Sequence, residues 1–189
     1  GYDATLNIWK IELIGALPIV EGGQVIIDGD TQPGGRTTGP KIIIKGSDLT
    51  IGETVGEGNY IVRGLAFQEG GIYLTGDNNI VEDNWVGLTD DGQSIYYVDD
   101  DPTRANSATI YAGGDSDYNT IRNNVVASSI GESIVVQGDH NTVVGNYVGT
   151  RADGTIPDVA ENRRCHPDAF YYNWFTGKGI RVSGDYNQI

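Results

Sequence analysis

The sequence predicts an all-β chain wound as a right-handed parallel β-helix, a β-solenoid of about five to six coils. Three observations lead there: an Asp-x-Asn triplet recurs, a β-branched residue follows each triplet at a fixed distance, and apolar residues two apart precede each one. The triplets are Asp77-Asn78-Asn79, Asp117-Tyr118-Asn119, Asp139-His140-Asn141 and Asp185-Tyr186-Asn187, with Val81, Ile121, Val143 and Ile189 two residues beyond each final asparagine. A second asparagine follows the first three triplets, Asn84, Asn124 and Asn146, leading to Val86, Val126 and Val148. Ahead of the triplets stand Ile72-x-Leu74, Ile110-x-Ala112, Ile134-x-Val136 and Ile180-x-Val182. Spacing by two places a common face on an extended strand and not on a helix.

Each unit therefore reads as strand, bend, strand, turn. With Asn59 taken as an earlier copy, asparagines at 59, 79, 119, 141 and 187 lie 20, 40, 22 and 46 residues apart, giving a base coil of 20 to 22 residues with two insertions, 88–107 and 150–177. One such coil cannot bury its inward side chains, but coils stacked about 4.8 Å apart pair in parallel and build a continuous interior. The isoleucines 72, 110, 134 and 180 should form one inward stack, and Leu74, Ala112, Val136 and Val182 another. Outward columns should join Trp85 with Tyr147 and Tyr73 with Tyr111, leaving these rings partly accessible. Asn79, Asn119, Asn141 and Asn187 are expected to form a structural ladder, because stacked Asn side chains hydrogen-bond from coil to coil and Asn tolerates left-handed turns. The whole of 1–189 reads as one β-helix segment of a larger protein, with irregular first coils over 1–58 and regular coils over 59–189.

Composition bounds the partners. Twenty-six acidic and 12 basic residues give a formal charge of −14, which repels a phosphate backbone and argues against nucleic acid. No apolar run reaches the roughly 18 residues of a membrane span. The single cysteine, Cys165, cannot form an internal disulfide, and there is no methionine. The opening Gly1-Tyr2-Asp3 has neither an initiating Met nor the features of a signal peptide, so the supplied sequence reads as processed or excised.

Segment 1–58 runs through Leu17-Pro18-Ile19, Ile27-Asp28-Gly29-Asp30-Thr31-Gln32-Pro33-Gly34 and Ile42-Ile43-Ile44-Lys45-Gly46. With Val62-Arg63-Gly64-Leu65 and Asn146-Tyr147-Val148-Gly149-Thr150-Arg151-Ala152-Asp153-Gly154-Thr155, this order resembles the bacterial right-handed parallel β-helix repeat surface proteins of the pectate-lyase-like solenoid superfamily. The resemblance covers roughly residues 16 to 155. It implies an extracellular or cell-surface parent protein and no single activity, and it fades after Asp158, where the second insertion is aromatic and basic.

Both insertions leave the coil at an equivalent point, after Val86-Gly87 and Val148-Gly149, so they should meet on one flank. Tyr96, Tyr97, Arg104, Tyr171, Tyr172 and Trp174 are candidate glycan contacts, since rings stack on sugar faces and arginine pairs with carboxylates. The densest titratable group is Arg163-Arg164-Cys165-His166-Pro167-Asp168. With Tyr171, a base drawn from His166 or Tyr171 and a carboxylate neutraliser in Arg163 or Arg164 would suit β-elimination or epimerisation of a uronic acid. The Asp-Pro-His order of such epimerases is absent, and His166-Pro167-Asp168 only reverses it. Calcium is not signalled, although Asp90-Asp91-Gly92 and Asp99-Asp100-Asp101 are oxygen-rich, and no other cofactor or metal site is indicated.

The leading expectation is a structural or adhesive module without enzymatic activity, whose partner is a polysaccharide or cell-surface glycan held on the insertion flank. The rival is a polysaccharide lyase or epimerase acting on acidic polysaccharide. A third reading is a filament subunit that self-associates through terminal coils, which show no obvious cap.

Overall fold

The computed structural model describes residues 1–52, 57–96, 109–127, 131–156 and 178–189. Their short strands form three sheets, and the chain visits one strand of each sheet in turn. On the first face, β1 (Tyr2–Asp3) pairs antiparallel with β2 (Ile8–Glu12), and parallel pairing then continues through β4 (Ile42–Lys45), β7 (Leu65–Gln68), β10 (Trp85–Val86), β13 (Val125–Val126) and β16 (Tyr147–Val148). The second face stacks β5 (Leu49–Ile51), β8 (Ile72–Leu74), β11 (Ile110–Ala112), β14 (Glu132–Val136) and β17 (Lys178–Val182). The third stacks β3 (Ile26–Asp28), β6 (Ile61–Arg63), β9 (Ile80–Glu82), β12 (Thr120–Arg122) and β15 (Thr142–Val144). The fold is a right-handed parallel β-helix, and β2, β4, β7, β10, β13 and β16 mark six coil levels.

The register follows the apolar spacing. Ile72 pairs with Ile110, Ile110 with Ile134 and Ile134 with Ile180, while Leu74, Ala112, Val136 and Val182 align alongside. The first three isoleucines are fully buried, and Ile180 on the last coil is 37% exposed. Burying such a side chain contributes roughly 1.5–3 kcal/mol, and the stack repeats that gain at every level. The outward columns are present too. Tyr73 lies against Tyr111 with ring centroids 5.7 Å apart, and Trp85 is linked to Tyr147 through Val125. All four rings keep some solvent access.

Two of the three corners are closed by side-chain amides. At the corner between the second and third faces, the amide N–H groups of Tyr60, Asn79, Asn119 and Asn141 donate to the Oδ1 atoms of Asn79, Asn119, Asn141 and Asn187 at 2.7–3.0 Å. At the next corner, Leu65, Asn84 and Asn124 donate in the same way to Asn84, Asn124 and Asn146. An aspartate ladder runs in the opposite sense beside the first, with the N–H of Asp117, Asp139 and Asp185 donating to Asp77, Asp117 and Asp139.

The left-handed residue is the one before each ladder asparagine rather than the asparagine itself: Asn78, Tyr118, His140 and Tyr186 at the first corner, Asp83 and Asn123 at the second. This shifts the register of the second coil by one. Asn59, at φ 63°, occupies the left-handed position, and Tyr60 takes the ladder position.

The third face carries an outward column of alternating charge, Asp28, Arg63, Glu82 and Arg122, set by strand register. Arg63 donates through Nε and Nη2 to Asp28 Oδ2 at 2.8 and 2.7 Å and lies 3.6 Å from Glu82, which Arg122 holds at 2.6 Å. The Arg63 hydrogen bond holds the Asp28 carboxyl below its ordinary 3.8. A lowered native pKa stabilises the fold above the unfolded value, and that stability is lost as pH falls through the native one. In Arg63→Ala, a carboxyl-detected NMR titration is therefore expected to return the Asp28 midpoint upward, and the acid-side loss of stability attached to it should shrink. An unmoved midpoint would show that the backbone donors to Asp28 set its pKa instead.

Candidate functional site

The first face is covered on its outside as well as its inside. Ile43 and Ala66 point outward yet are buried, packed with Ile8, Leu6 and Trp85. Leu88, Val125 and Ala127 form a further buried cluster with Ile95 and Ala152. Four segments make this cover: the turn before β2 that carries Leu6, the loop 29–41 that joins the first two coils, and the roots of both insertions.

The insertion roots touch. Ala152 N–H donates to the Gly92 carbonyl at 2.9 Å and Arg151 Nε to the Gln93 carbonyl at 2.7 Å. Both insertions leave the same corner because Val86 and Val148 each pair with Val126. From loop 29–41, Arg36 lays its guanidinium 4.5 Å over the Trp85 ring and donates to the backbone carbonyl of Asp90. Trp85 is therefore a half-buried anchor for the cover and not a free sugar platform.

Beside this cover a cavity of about 180 Å³ is lined by Lys10, Glu12, Ile43, Lys45, Gln68, Asp90 and Tyr96. Strand register puts Glu12, Lys45 and Gln68 in one column. Tyr96 OH donates to Glu69 Oε1 at 2.7 Å, and Lys45 Nζ sits 3.4 Å from the same oxygen and 5.6 Å from the Tyr96 ring centre. Burial, reinforced by the Glu69 hydrogen bond, raises the Tyr96 hydroxyl pKa, and contact with Tyr96 raises that of Lys45. Lys10 pairs with Asp90, whose Oδ1 also accepts from Gln68 Nε2 at 2.9 Å. The chemistry on offer is hydrogen bonding: a phenol, an amide, and ammonium groups each already matched to a carboxylate.

A second, wider cleft of about 640 Å³ opens where the third face turns into the first, lined by Asp30, Asp83, Arg36, Lys41 and the loop glycines Gly34, Gly35 and Gly39. Lys41 Nζ there donates to the carbonyls of Asp30 and Gln32 at 3.0 and 3.1 Å. Burial and the neighbouring Glu82 and Asp30 carboxylates raise the pKa of Asp83.

Of the sequence-derived candidates, Tyr96 lines the smaller cavity. Tyr97, Arg104, Arg163, Arg164, His166, Tyr171, Tyr172 and Trp174 lie outside the described residues. Sequence reasoning missed Lys10 and Lys45, which come from the irregular first coils, and Gln68 and Glu69, which stand at the end of β7; strand register brings them together on the flank. It also missed the exposed stack of Tyr118, His140 and Tyr186, whose rings lie 4.8 and 4.9 Å apart and nearly parallel. Its signal was present: all three occupy the middle position of the Asp-x-Asn triplet.

The fold and its corner ladders define a β-helix repeat protein. A family model described as NosD, periplasmic copper-binding protein, matches residues 23–188, and the chain belongs to that family. No curated protein and no solved structure matches significantly. The likeness to bacterial β-helix surface proteins thus holds for the β-helix repeat class, in a family of the cell envelope.

Copper sites draw on imidazole, thiolate and thioether donors. This chain has two histidines, one cysteine and no methionine. His166 and Cys165 lie outside the described residues, and His140 is sandwiched between two tyrosine rings. Among the described residues no three His, Cys, Asp or Glu side chains converge as a metal site, so these coils do not offer a donor set that fits copper.

Proposed function

We propose that the chain is a structural and adhesive solenoid module of the cell surface that holds a neutral glycan on its insertion flank. The observation that carries this reading is the Tyr96 cavity, where strands of the first three coils and the first insertion root bring a phenol, an amide and paired charges together. Its ammonium groups are matched by Asp90 and Glu69, Glu12 adds negative charge, and the chain carries −14 overall, so an anionic polysaccharide would be repelled. Hydroxyl-rich neutral chains suit such a lining.

Affinity electrophoresis of the purified chain against neutral and acidic polysaccharides tests this. Retardation by a neutral glycan is expected, with no new reducing ends and no unsaturated product. Tyr96→Ala should weaken retention by roughly tenfold, the scale of a lost aromatic contact and hydrogen bond. Uniform mobility in every gel would remove the glycan reading. Product formation that disappears in His166→Ala would replace it with a lyase or epimerase.

A further inference from the structure

Resting on that glycan reading, we infer that the Tyr96 cavity takes a single sugar ring and that Glu12 is the residue that selects it, by accepting from two hydroxyl groups on adjacent ring carbons. The size of the space sets the first part. At about 180 Å³ it displaces roughly six waters of about 30 Å³ each, the room that one pyranose ring fills. It is closed toward the middle of the face, because Ile43, its aliphatic lining residue, is 1% exposed and packed with Ala66, Ile8, Leu6 and Trp85.

The polar groups around the cavity set the second part. Gln68 Nε2 directs both of its hydrogens inward, to the Leu88 carbonyl and to Asp90 Oδ1, each at 2.9 Å. Lys10 pairs with Asp90 and lies 3.8 Å from Asp3, and Lys45 is turned to Glu69, which also accepts from the Tyr96 hydroxyl. Each donor group of the lining is thus held by a protein oxygen. Glu12 differs. Strand register sets it beside Lys45, yet no ion pair joins the two, and among the described residues its exposed carboxylate has no partner.

An ionised carboxylate only accepts, through two oxygens side by side, and its hydrogen bonds are about twice as strong as neutral ones. Two O–H groups on neighbouring carbons match that geometry. An amine is the poorer partner, because the Lys10 and Lys45 ammonium groups line the same small space. The Tyr96 ring adds an aromatic wall for the C–H face of the sugar.

Isothermal titration of the full chain with the methyl pyranosides of glucose, galactose, mannose and xylose, their singly deoxygenated forms and the matching hexasaccharides tests both parts. For the sugar that binds, the hexasaccharide should hold less than about tenfold tighter than the single ring, the gain from offering several equivalent rings included. Deoxygenation at either of two adjacent carbons should weaken the single ring by roughly tenfold, the scale of a hydrogen bond to a charged group. Glu12→Ala should lose roughly the same tenfold for the parent sugar and bind parent and deoxy sugars equally, whereas Tyr96→Ala should weaken both and keep their difference. A steeper rise with chain length overturns the single-ring site. Native affinity in Glu12→Ala, or a deoxy penalty that persists in it, overturns the role of Glu12, and either result leaves the glycan reading standing. Failure of every saccharide to bind removes that reading and this inference with it.

Discussion

Asn124→Ala is expected to destabilise the chain by about 4 kcal/mol, because the buried side chain makes four hydrogen bonds. Asn124 is fully buried. Its Oδ1 accepts from the Asn84 backbone N–H at 3.0 Å and from Asn84 Nδ2 at 3.1 Å, and its Nδ2 donates to the Val81 carbonyl at 2.9 Å and to Asn146 Oδ1 at 3.0 Å. Alanine leaves these groups unpaired, and each buried orphan costs about 1–3 kcal/mol, offset in part by relaxation. The same truncation at His140 removes only two exposed ring contacts, with Tyr118 and Tyr186, and should cost about 1 kcal/mol. Urea unfolding followed by far-ultraviolet circular dichroism measures both. Comparable midpoints for the two variants would mean that the corner ladder decorates the coil without holding it.

Much of the fold is legible because stacking forces equivalent residues into equivalent places. Apolar residues two apart in Ile72-x-Leu74 and Ile110-x-Ala112 must share a face, and the Asp-x-Asn turns mark where each coil begins its third face. The one-residue error at Asn59 has a simple origin. The second coil places Tyr60 at the ladder position, so the nearest asparagine in sequence is the left-handed turn residue instead. The flank was legible only at its roots: Val86 and Val148 carry the repeat, so the common exit point of the insertions is readable, and contact between residues 92–93 and 151–152 follows. Lys10, Lys45 and Glu69 were not, because their meeting with Tyr96 depends on how the first three coils fall in register. The cover over Ile43 and Ala66 was hidden for a related reason. Apolar residues on both faces of a strand read as core in sequence, and only the paths of the turn that carries Leu6 and of loop 29–41 show which face an added layer buries.

Gly76→Ala should be as damaging as the loss of a ladder asparagine, by more than about 3 kcal/mol, since two independent penalties coincide there. Gly76 has φ of 113°, a conformation that L side chains rarely adopt, and an added Cβ would lie 2.0 Å from the Glu57 carbonyl oxygen of the coil below. Neither can be relieved locally. The obstructing atom is backbone, and separating the coils would stretch the neighbouring bonds, including Asp77 N–H to the Glu57 carbonyl at 2.8 Å and Tyr60 N–H to Asn79 Oδ1 at 3.0 Å. Gly131, at φ 78° but with open space around its Cβ position, isolates the conformational part of the penalty. Gly131→Ala is therefore expected to cost only about 1 kcal/mol. Thermal unfolding of the two variants separates the contributions: a Gly76→Ala melting temperature no lower than that of Gly131→Ala would show that the coils can part at this corner without loss, and that close approach of the backbones is not what glycine supplies there.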